Sequence, residues 1–296
     1  MEQLGLDGMP RRLYTCTPSR LNTWLDCPRR YRMTYLDRPM PPKGPPWAHN
    51  SVGASVHNAL AGWWKLPTGD RTPAAAGRLL TRGWLTDGFR DEAQSAAWRD
   101  RAREMTERYA TGLDPRDEPL GVERTVATRT DSIAVSGRID RLDGRGGELA
   151  VVDYKTGRWV PSSDDARGSL ALALYAVAAS RVLRRPCHRV ELHHLPSGEI
   201  AGWDHTDESL ARHLRRAESI AAEAADADER YRAVTGGARV PKPRTAGEVD
   251  HAPHDEAFPP RPGNLCAWCD FARHCPEGRE AAPRKEPWGG LPVDAA

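Results

Sequence analysis

The sequence predicts an α/β protein, because strand-like segments are grouped between longer helical segments. Three strands are expected at about 121–130, 132–141 and 148–155, and two more at 188–195 and 199–204. These segments are rich in β-branched residues and end in turn residues such as Gly and Asp. The 296 residues can bury a sizeable core, as one large domain or as a core with appended lobes.

The N-terminal part of the chain is predicted to be helical after a loose lead-in over residues 1–16. Thr17-Pro18 is a good start for a helix to about Tyr35, with proline at the first helical position. The proline-rich residues 39–46 predict an extended loop. A second helix, from about Val52 to Trp64, carries His57.

Residues 74–111 predict a helical insert between the histidine helix and the strands. Further helices are expected at about 165–183 and, in an alanine-rich segment, at 207–233. A loop over residues 236–263 precedes three closely spaced cysteines, and the Pro- and Gly-rich residues 276–296 are expected to be disordered.

The most informative feature is a hairpin that carries two carboxylates and a lysine. One strand ends in Gly137-Arg-Ile-Asp140, and the next ends in Asp153-Tyr-Lys155, thirteen residues after Asp140. The turn-forming residues 143–147 lie between them. Two carboxylates can hold a hard divalent cation, and a lysine beside them can orient water or stabilise charge on phosphorus.

A simpler interpretation is an ion pair between Asp153 and Lys155 on a solvated strand, which is worth little. Against it, Asp153 follows the apolar residues 149–152, and unpaired charge at the end of a buried strand is costly. Glu123, in the preceding strand, is either a further acidic ligand or a charge on the sheet surface.

Taken in order, these motifs resemble the PD-(D/E)XK nucleases, specifically the RecB-like exonucleases of the AddB-type and CRISPR-associated kinds. The resemblance rests on the hairpin, the Cys27-Pro28 helix, the segment Gly53–His57 and the cysteines Cys266, Cys269 and Cys275, and it spans about Thr17 to Cys275. It implies a restriction-endonuclease-like core over 17–275, with a central mixed sheet, the insert at 74–111, and a cysteine cluster at 264–275 joined to the N-terminal helix.

The resemblance also implies the site residues. Asp140, Asp153 and Lys155 would be catalytic, and His57, Asp140 and Asp153 would bind Mg²⁺ or Mn²⁺. The carbonyl of Tyr154 is a further candidate ligand. A histidine ligand favours Mn²⁺ somewhat over Mg²⁺, although a lone histidine on an apolar helix is often only a satisfied core residue.

The six cysteines indicate a metal centre. No signal peptide or membrane-length apolar run is evident, so a cytoplasmic location is expected, where structural disulfides are rare. The Cys266, Cys269 and Cys275 trio lacks one ligand, and the resemblance supplies Cys27, with Cys16 as its rival. Four thiolates suit either Zn²⁺ or a [4Fe–4S] cluster, and the resemblance favours the cluster. Cys187 is expected to be a buried thiol.

The net charge of +2 indicates no global basic field, so any nucleic-acid contact must depend on local clusters. The basic run from Arg29 to Arg32 is the best candidate for phosphate contact. Base stacking could involve tryptophans, although most are expected in the core: Trp47, Trp63, Trp64 and Trp268.

One position departs from the family pattern. RecB-like enzymes usually carry a glutamine four residues before Tyr175, and this chain has Ala171 there. The hydrogen-bonding role of that glutamine is either lost or supplied by another residue, with Ser169 and Arg167 as the candidates.

The expected function is metal-dependent DNA hydrolysis, by an exonuclease acting on single strands or DNA ends in repair, recombination or defence. The alternative is a DNA-end-binding or assembly module for a helicase or other partner, with little cleavage of its own. No P-loop is evident, so no motor is expected in this chain. A zinc scaffold without nucleic acid would require the carboxylate motif to be coincidental.

Overall fold

A six-stranded mixed β-sheet lies at the centre of the computed structural model, which describes residues 13–235 and 255–291. The strands are β1 (Tyr14–Cys16), β2 (Gly121–Arg129), β3 (Ile133–Arg145), β4 (Glu148–Lys155), β5 (Cys187–His194) and β6 (Glu199–Asp204). The helices are α1 (Pro18–Asp26), α2 (Pro28–Tyr35), α3 (Ala48–Trp64), α4 (Pro73–Arg82), α5 (Glu92–Thr111), α6 (Ser163–Gly168), α7 (Leu170–Leu183), α8 (Asp207–Thr235) and α9 (Pro276–Ala281). The predicted α/β class, with helices flanking a mixed sheet, is confirmed.

The sheet runs in the order β1-β3-β4-β5-β6, and β2 pairs with the other edge of β3. The β1–β3 and β4–β5 pairs are parallel, whereas β2–β3, β3–β4 and β5–β6 are antiparallel. A parallel neighbour requires a crossover, and α6 and α7 supply it between β4 and β5. The antiparallel β3–β4 hairpin turns at Gly146 and Gly147, which both have the positive φ that glycine tolerates best.

The long strand β3 exchanges neighbours along one edge. Its start, residues 133–135, pairs with β1, and its end, residues 141–145, pairs with β4. Since β2 covers residues 134–142 on the opposite edge, β1 and β4 lie on the same edge. In the described part of the chain, residues 136–140 therefore have no strand beside them on that edge. This gap contains the Gly-Arg-Ile-Asp motif.

Helices cover both faces of the sheet, because its buried strands alternate apolar side chains between them. Val151 packs in a cluster with α7, whereas its neighbour Val152 packs in a cluster with α3. Helices α4 and α5 extend the α3 layer, and α8 packs with α1 and β1. The sheet thus lies between the histidine helix α3 on one face and α7 on the other.

The predicted helix over 17–35 is two helices. It breaks at Cys27, whose extended backbone (φ −167°, ψ 113°) ends α1 and precedes Pro28 at the first position of α2. Proline disfavours a helical conformation in the residue before it and has no N–H to continue the ladder. The insert over 74–111 is likewise divided, into α4 and α5, and the helix over 165–183 is divided at Ser169.

Both predicted chain ends differ from the structure. Residues 14–16 of the expected lead-in form β1, because they gain backbone hydrogen bonds from β3. The expected disordered tail begins with α9, and Leu291 is buried against α3. Residues 1–12, 292–296 and most of the predicted loop, 236–254, lie outside the described residues. No helix in the described ranges is long and apolar enough to cross a membrane.

A buried carboxylate ties α8 to the N-terminal helices. Asp228 is 1% exposed, and it accepts hydrogen bonds from Arg20 at 2.9 Å and from the Tyr31 hydroxyl at 3.1 Å. Burial raises the pKa of Asp228, and the Arg20 guanidinium opposes that rise. Removing the carboxylate would leave a cation without its partner in a half-buried site.

We therefore expect Asp228→Ala to lower the free energy of unfolding by about 3–5 kcal/mol, the range for breaking a buried pair from one side. The matched control is Glu208→Ala on the same helix, where the pair with Arg212 is exposed. That change should cost less than about 1 kcal/mol. Urea unfolding of both variants measures the two values, and equal losses would contradict a structural role for the buried pair.

Candidate functional site

Three carboxylates lie in one row across neighbouring strands. In the β2–β3 register, Glu123 falls opposite Asp140, between the paired residues on either side. In the β3–β4 register, the last pair is Arg141 with Val152, so Asp140 and Asp153 are opposite one another one step beyond it. Residues directly opposite in adjacent strands are neighbours. The hairpin prediction of paired carboxylates is therefore realised by the sheet register.

The backbone of Tyr154 joins the histidine helix to this row. Its amide N–H donates to Asp140 Oδ2 at 2.9 Å, where a ladder bond to β3 would otherwise lie. Its carbonyl oxygen lies 3.1 Å from His57 Nε2. His57 Nδ1 is in turn 3.4 Å from Asp140 Oδ1. Together these contacts hold the His57 imidazole and the Asp140 carboxylate beside one another, at the point where β3 and β4 separate.

His57, Glu123 and Asp140 can hold a metal ion together. One ligand atom from each lies within 4.8 Å of the other two, and no other trio of His, Cys, Asp or Glu in the described ranges meets this distance. Burial lowers the pKa of His57, but its hydrogen bond with Asp140 and the neighbouring carboxylates outweigh this effect and raise it. Burial, then the charge of Asp140, raises the pKa of Glu123. Such a crowded acidic group is one that a bound cation would stabilise.

The backbone at Glu123 is strained. Its φ of 49° lies in the left-handed region, which a non-glycine residue enters at a cost of order 1–3 kcal/mol. The side chain is held by an ion pair with Arg138 at 2.8 Å. Of the two interpretations that the sequence allowed for Glu123, this position beside His57 and Asp140 favours the ligand.

Asp153 and Lys155 form a close ion pair next to the trio. Lys155 Nζ lies 2.6 Å from Asp153 Oδ2, and the lysine side chain is about half exposed. Burial raises the pKa of Asp153, Lys155 lowers it and Asp140 raises it again, so that the net direction is upward. In this arrangement Lys155 faces one oxygen of the carboxylate that the sequence predicts as a metal ligand.

A cavity of about 430 Å³ opens beside these residues. His57, Glu123, Lys155 and Tyr154 line it, and so does Trp98 from the helical insert. Its basic and polar rim consists of His49, Asn50, Asn58, Arg138 and Arg158. The cavity is thus large enough for a phosphate group with part of its ester chain, and it carries the donors that such a ligand needs.

Tyr175 on α7 lies over the gap in β3. A Cβ atom at Gly137 would overlap its ring and lie 3.0 Å from its hydroxyl oxygen, so the glycine allows this close approach. Burial raises the pKa of Tyr175, and the charges of Asp153 and Asp140 raise it further. Tyr175 is therefore close enough to both carboxylates for their charges to act on it.

Both predicted substitutes for the missing glutamine have partners of their own. Ser169 accepts from the Leu172 amide as the cap of α7. Arg167 lies over the Trp203 ring at 5.2 Å and pairs with Asp164. Ala171 is one helical turn before Tyr175 and leaves the tyrosine without that amide neighbour.

The four cysteines Cys27, Cys266, Cys269 and Cys275 line a second, smaller cavity of about 40 Å³. Gly278 brings backbone close to two of the sulfurs, because a Cβ there would lie 3.3 Å from Cys275 Sγ and 3.5 Å from Cys266 Sγ. Arg29, Arg30 and Arg261 also line the cavity, and Arg29 donates to Cys275 Sγ at 3.9 Å. The structure thus brings the predicted fourth cysteine to the trio across the length of the chain.

The remaining cysteines lie elsewhere. Cys16, the rival fourth ligand, is buried in the core with α1 and α8, and burial raises its pKa to about 11. Cys187 is buried beneath α7, as predicted, with its pKa raised to about 12 by burial. His274 Nε2 lies 3.0 Å from the Pro42 carbonyl oxygen, away from the lining of the cysteine cavity.

Several sequence expectations about nucleic-acid contact are not supported by the structure. Arg29 and Arg32 are buried and pair with Glu277 and Asp37. Trp47, Trp63 and Trp64 are buried too, which confirms the core interpretation.

The sequence pattern around Glu123 offered no signal for its strained backbone, because strand alternation alone does not reveal an irregular register.

A family model described as the PD-(D/E)XK nuclease superfamily matches residues 15–276 of this chain. Two solved structures are similar to it. One, named "Putative exonuclease" and from Eubacterium rectale, is 12% identical, with a TM-score of 0.46 over 73% of this chain and 82% of its own. The other, SSO0001, is 13% identical, with a TM-score of 0.36 over 92% and 90%. No curated protein matches significantly.

The close approach of Gly137 to Tyr175 predicts a coupled effect on stability. Gly137→Ala should lower the free energy of unfolding by about 1–3 kcal/mol, the usual cost of overpacking. Tyr175→Ala in the same chain should remove most of that penalty, because the clash disappears. Gly168→Ala is the control, since a Cβ there meets no atom within 4 Å. Additive losses in a double-mutant cycle would show that the two residues are not in contact.

Proposed function

This chain belongs to the PD-(D/E)XK nuclease superfamily, and from that premise we propose that it is a divalent-metal-dependent deoxyribonuclease of the RecB-like exonuclease branch. The observation that carries the proposal is the row of Glu123, Asp140 and Asp153 with His57 above it and Lys155 beside it. Membership of a nuclease superfamily implies a nucleic-acid substrate, and we propose that this substrate is the end of a DNA strand.

In the proposal, His57 and Asp140 hold the metal, and Glu123 or Asp153 completes its protein ligands. An imidazole with carboxylates suits Mn²⁺ or Mg²⁺, with Mn²⁺ tolerating the nitrogen better. The hydrogen bond from the Tyr154 amide keeps Asp140 in place, and its carbonyl oxygen is within reach of the same imidazole. When bound, the metal would neutralise the scissile phosphate and lower the pKa of a water molecule.

Lys155 has two partners in the proposed reaction. Its ammonium pairs with Asp153. Because Lys155 also lines the cavity, the same ammonium can hold the attacking water or a phosphate oxygen there. Water adds to phosphorus and gives up a proton, one ester P–O bond breaks, and the leaving oxygen takes up a proton. Arg138 and Arg158, on the cavity rim, would neutralise the neighbouring phosphates.

We propose further that Cys27, Cys266, Cys269 and Cys275 hold a [4Fe–4S] cluster. Four thiolates suit either a tetrahedral zinc ion or a [4Fe–4S] cluster, and the resemblance to the RecB-like enzymes favours the cluster. The three arginines that line the cavity would offset its negative charge.

The proposed nuclease activity predicts a large loss of cleavage in Asp153→Asn. We expect cleavage of end-labelled DNA in Mn²⁺ or Mg²⁺ to fall by at least about 100-fold, since a charge that acts on the reacting water and metal is removed. DNA affinity and the thermal midpoint should stay close to those of the wild type.

The matched control is Asp226→Asn, which removes an exposed carboxylate on α8 and should cleave like the wild type. Activity that survives Asp153→Asn would contradict the proposed site. DNA binding without cleavage in both proteins would favour the end-binding or assembly module.

The proposed cluster predicts the metal content. Protein purified without oxygen should contain about four irons and matching sulfide per chain, with visible absorption. Cys27→Ala should lose most of the iron, because a ligand from the far end of the chain is removed, whereas Cys16→Ala should keep it. One zinc per chain, without iron, would replace the cluster by a structural zinc site.

A further inference from the structure

Trp159 differs from every other tryptophan of the chain. All ten lie within the described ranges, and Trp159 alone is exposed, with 78% of its surface open. Large aromatic surfaces in a soluble protein are normally buried, because each exposed Å² of apolar area costs about 25 cal/mol. An open indole in a folded chain is therefore a candidate for contact with a partner.

The segment that carries Trp159 is anchored at both ends. The Gly157 carbonyl oxygen lies 2.8 Å from His194 Nε2. Ser162 begins α6 with a capping box, in which Ser162 Oγ accepts from the Asp165 amide and Asp165 Oδ2 accepts from the Ser162 amide. The bonds from Ser162, and the side chain of Trp159 to a lesser extent, lower the pKa of Asp165. The Trp159 side chain thus interacts with the Asp165 carboxylate, while 78% of the tryptophan surface stays exposed.

Trp159 follows residues of the candidate active site in the chain, and this restricts the ligands that it can contact. Its neighbour Arg158 lines the active-site cavity, together with Gly157 and Lys155. Trp159 is four positions after Lys155 in the chain, so their Cα atoms are at most about 15 Å apart. That upper limit corresponds to about two nucleotides of an extended single strand. A strand whose phosphate occupies the cavity can therefore place a neighbouring base on the indole.

The chemistry around Trp159 suits an unpaired base. Sequence-tolerant single-strand sites combine cations that follow the phosphates with aromatic rings that stack on the bases. Here Lys155, Arg138 and Arg158 supply the cations, and Trp159 supplies the ring. Inside a duplex, each base has both faces covered by its neighbours, and only the outer face of a terminal pair is open. The ring can therefore stack on a base of a single strand or at an end, and not within a duplex.

We propose that Trp159 stacks on an unpaired base one or two nucleotides from the scissile phosphate, and that it selects single-stranded DNA ends as the substrate. This inference rests on the proposed nuclease function. It assigns to Trp159 part of the substrate contact that Ala171, with no hydrogen-bonding side chain, does not make. Trp159 is a specificity-determining residue here and has no part in the chemistry of the bond.

The test combines a side-chain change with removal of single bases. Binding is measured by fluorescence anisotropy in the Asp153→Asn background, with labelled single-stranded DNA and with labelled duplex DNA whose ends are closed by non-nucleotide linkers. Trp159→Ala should weaken single-strand binding about tenfold, within the range for one stacked base, and leave duplex binding unchanged. Trp159→Phe should keep most of the affinity. Ile200→Ala, which alters an exposed apolar residue on β6, is the control and should bind like the parent.

A set of oligonucleotides with one abasic position each then locates the contact. With Trp159 present, one or two adjacent abasic positions near the end should weaken binding by about the same factor as Trp159→Ala. With alanine, those positions should have no further effect. In the active protein, Trp159→Ala should raise KM for single strands and leave kcat nearly unchanged.

Two results would overturn the inference while leaving the nuclease intact. One is equal weakening of single-strand and duplex binding, and the other is an abasic pattern that does not change on Trp159→Ala. Failure of the wild-type protein to bind or cleave either DNA would instead reject the proposed function, and the stacking role with it.

Discussion

The site depends on strand register. Glu123, Asp140 and Asp153 come from three strands, and they meet because β2, β3 and β4 pair without an offset at this level. Side chains alternate along a strand, so a slip of one residue would turn each carboxylate to the opposite face. The glycine turn of the β3–β4 hairpin and the apolar residues on its inner faces specify that register. Burial that stabilises the sheet therefore also positions the acidic groups.

The gap in β3 makes room for chemistry in what is otherwise a closed sheet. Where β3 and β4 separate, the Tyr154 amide binds the Asp140 side chain in place of a strand neighbour. The open backbone also lets Tyr175 approach from one face, where Gly137 has no side chain, while His57 approaches from the other. The gap in β3 thus gives the Tyr154 N–H a hydrogen-bond acceptor, holds the Asp140 carboxylate in place and leaves room for His57. A continuous β3–β4 ladder would allow none of these contacts.

The sequence predicted this arrangement well where the signal was local. Hairpin turns, apolar runs and helix caps depend on neighbouring residues, and the strand bounds from β2 to β6 differ from expectation by only a few residues at most. The prediction that Cys27 joins Cys266, Cys269 and Cys275 came from the family resemblance, because residues so far apart in the sequence give no local signal of a contact. Features set by tertiary packing were missed: the strained Glu123 and the burial of Arg29 against Glu277. Exposure of Trp159 was missed for the same reason, since no local pattern distinguishes it from nine tryptophans that fill or edge the core.

The cysteine segment and the histidine helix are connected by direct contacts. Trp47, which caps the start of α3, donates its indole N–H to Asp270 at 2.9 Å, and its ring lies 5.2 Å from that of Trp268. Asp270 and Trp268 both lie between Cys266 and Cys275 in the sequence. His57 is ten residues further along α3, about 15 Å at the helical rise, and a helix transmits the position of its first turn along its length. Order in the cysteine segment therefore constrains the end of α3, and through it the imidazole that closes on Asp140. A metal centre at the cysteines would therefore stabilise the position of His57 through these contacts, without transferring electrons to the site.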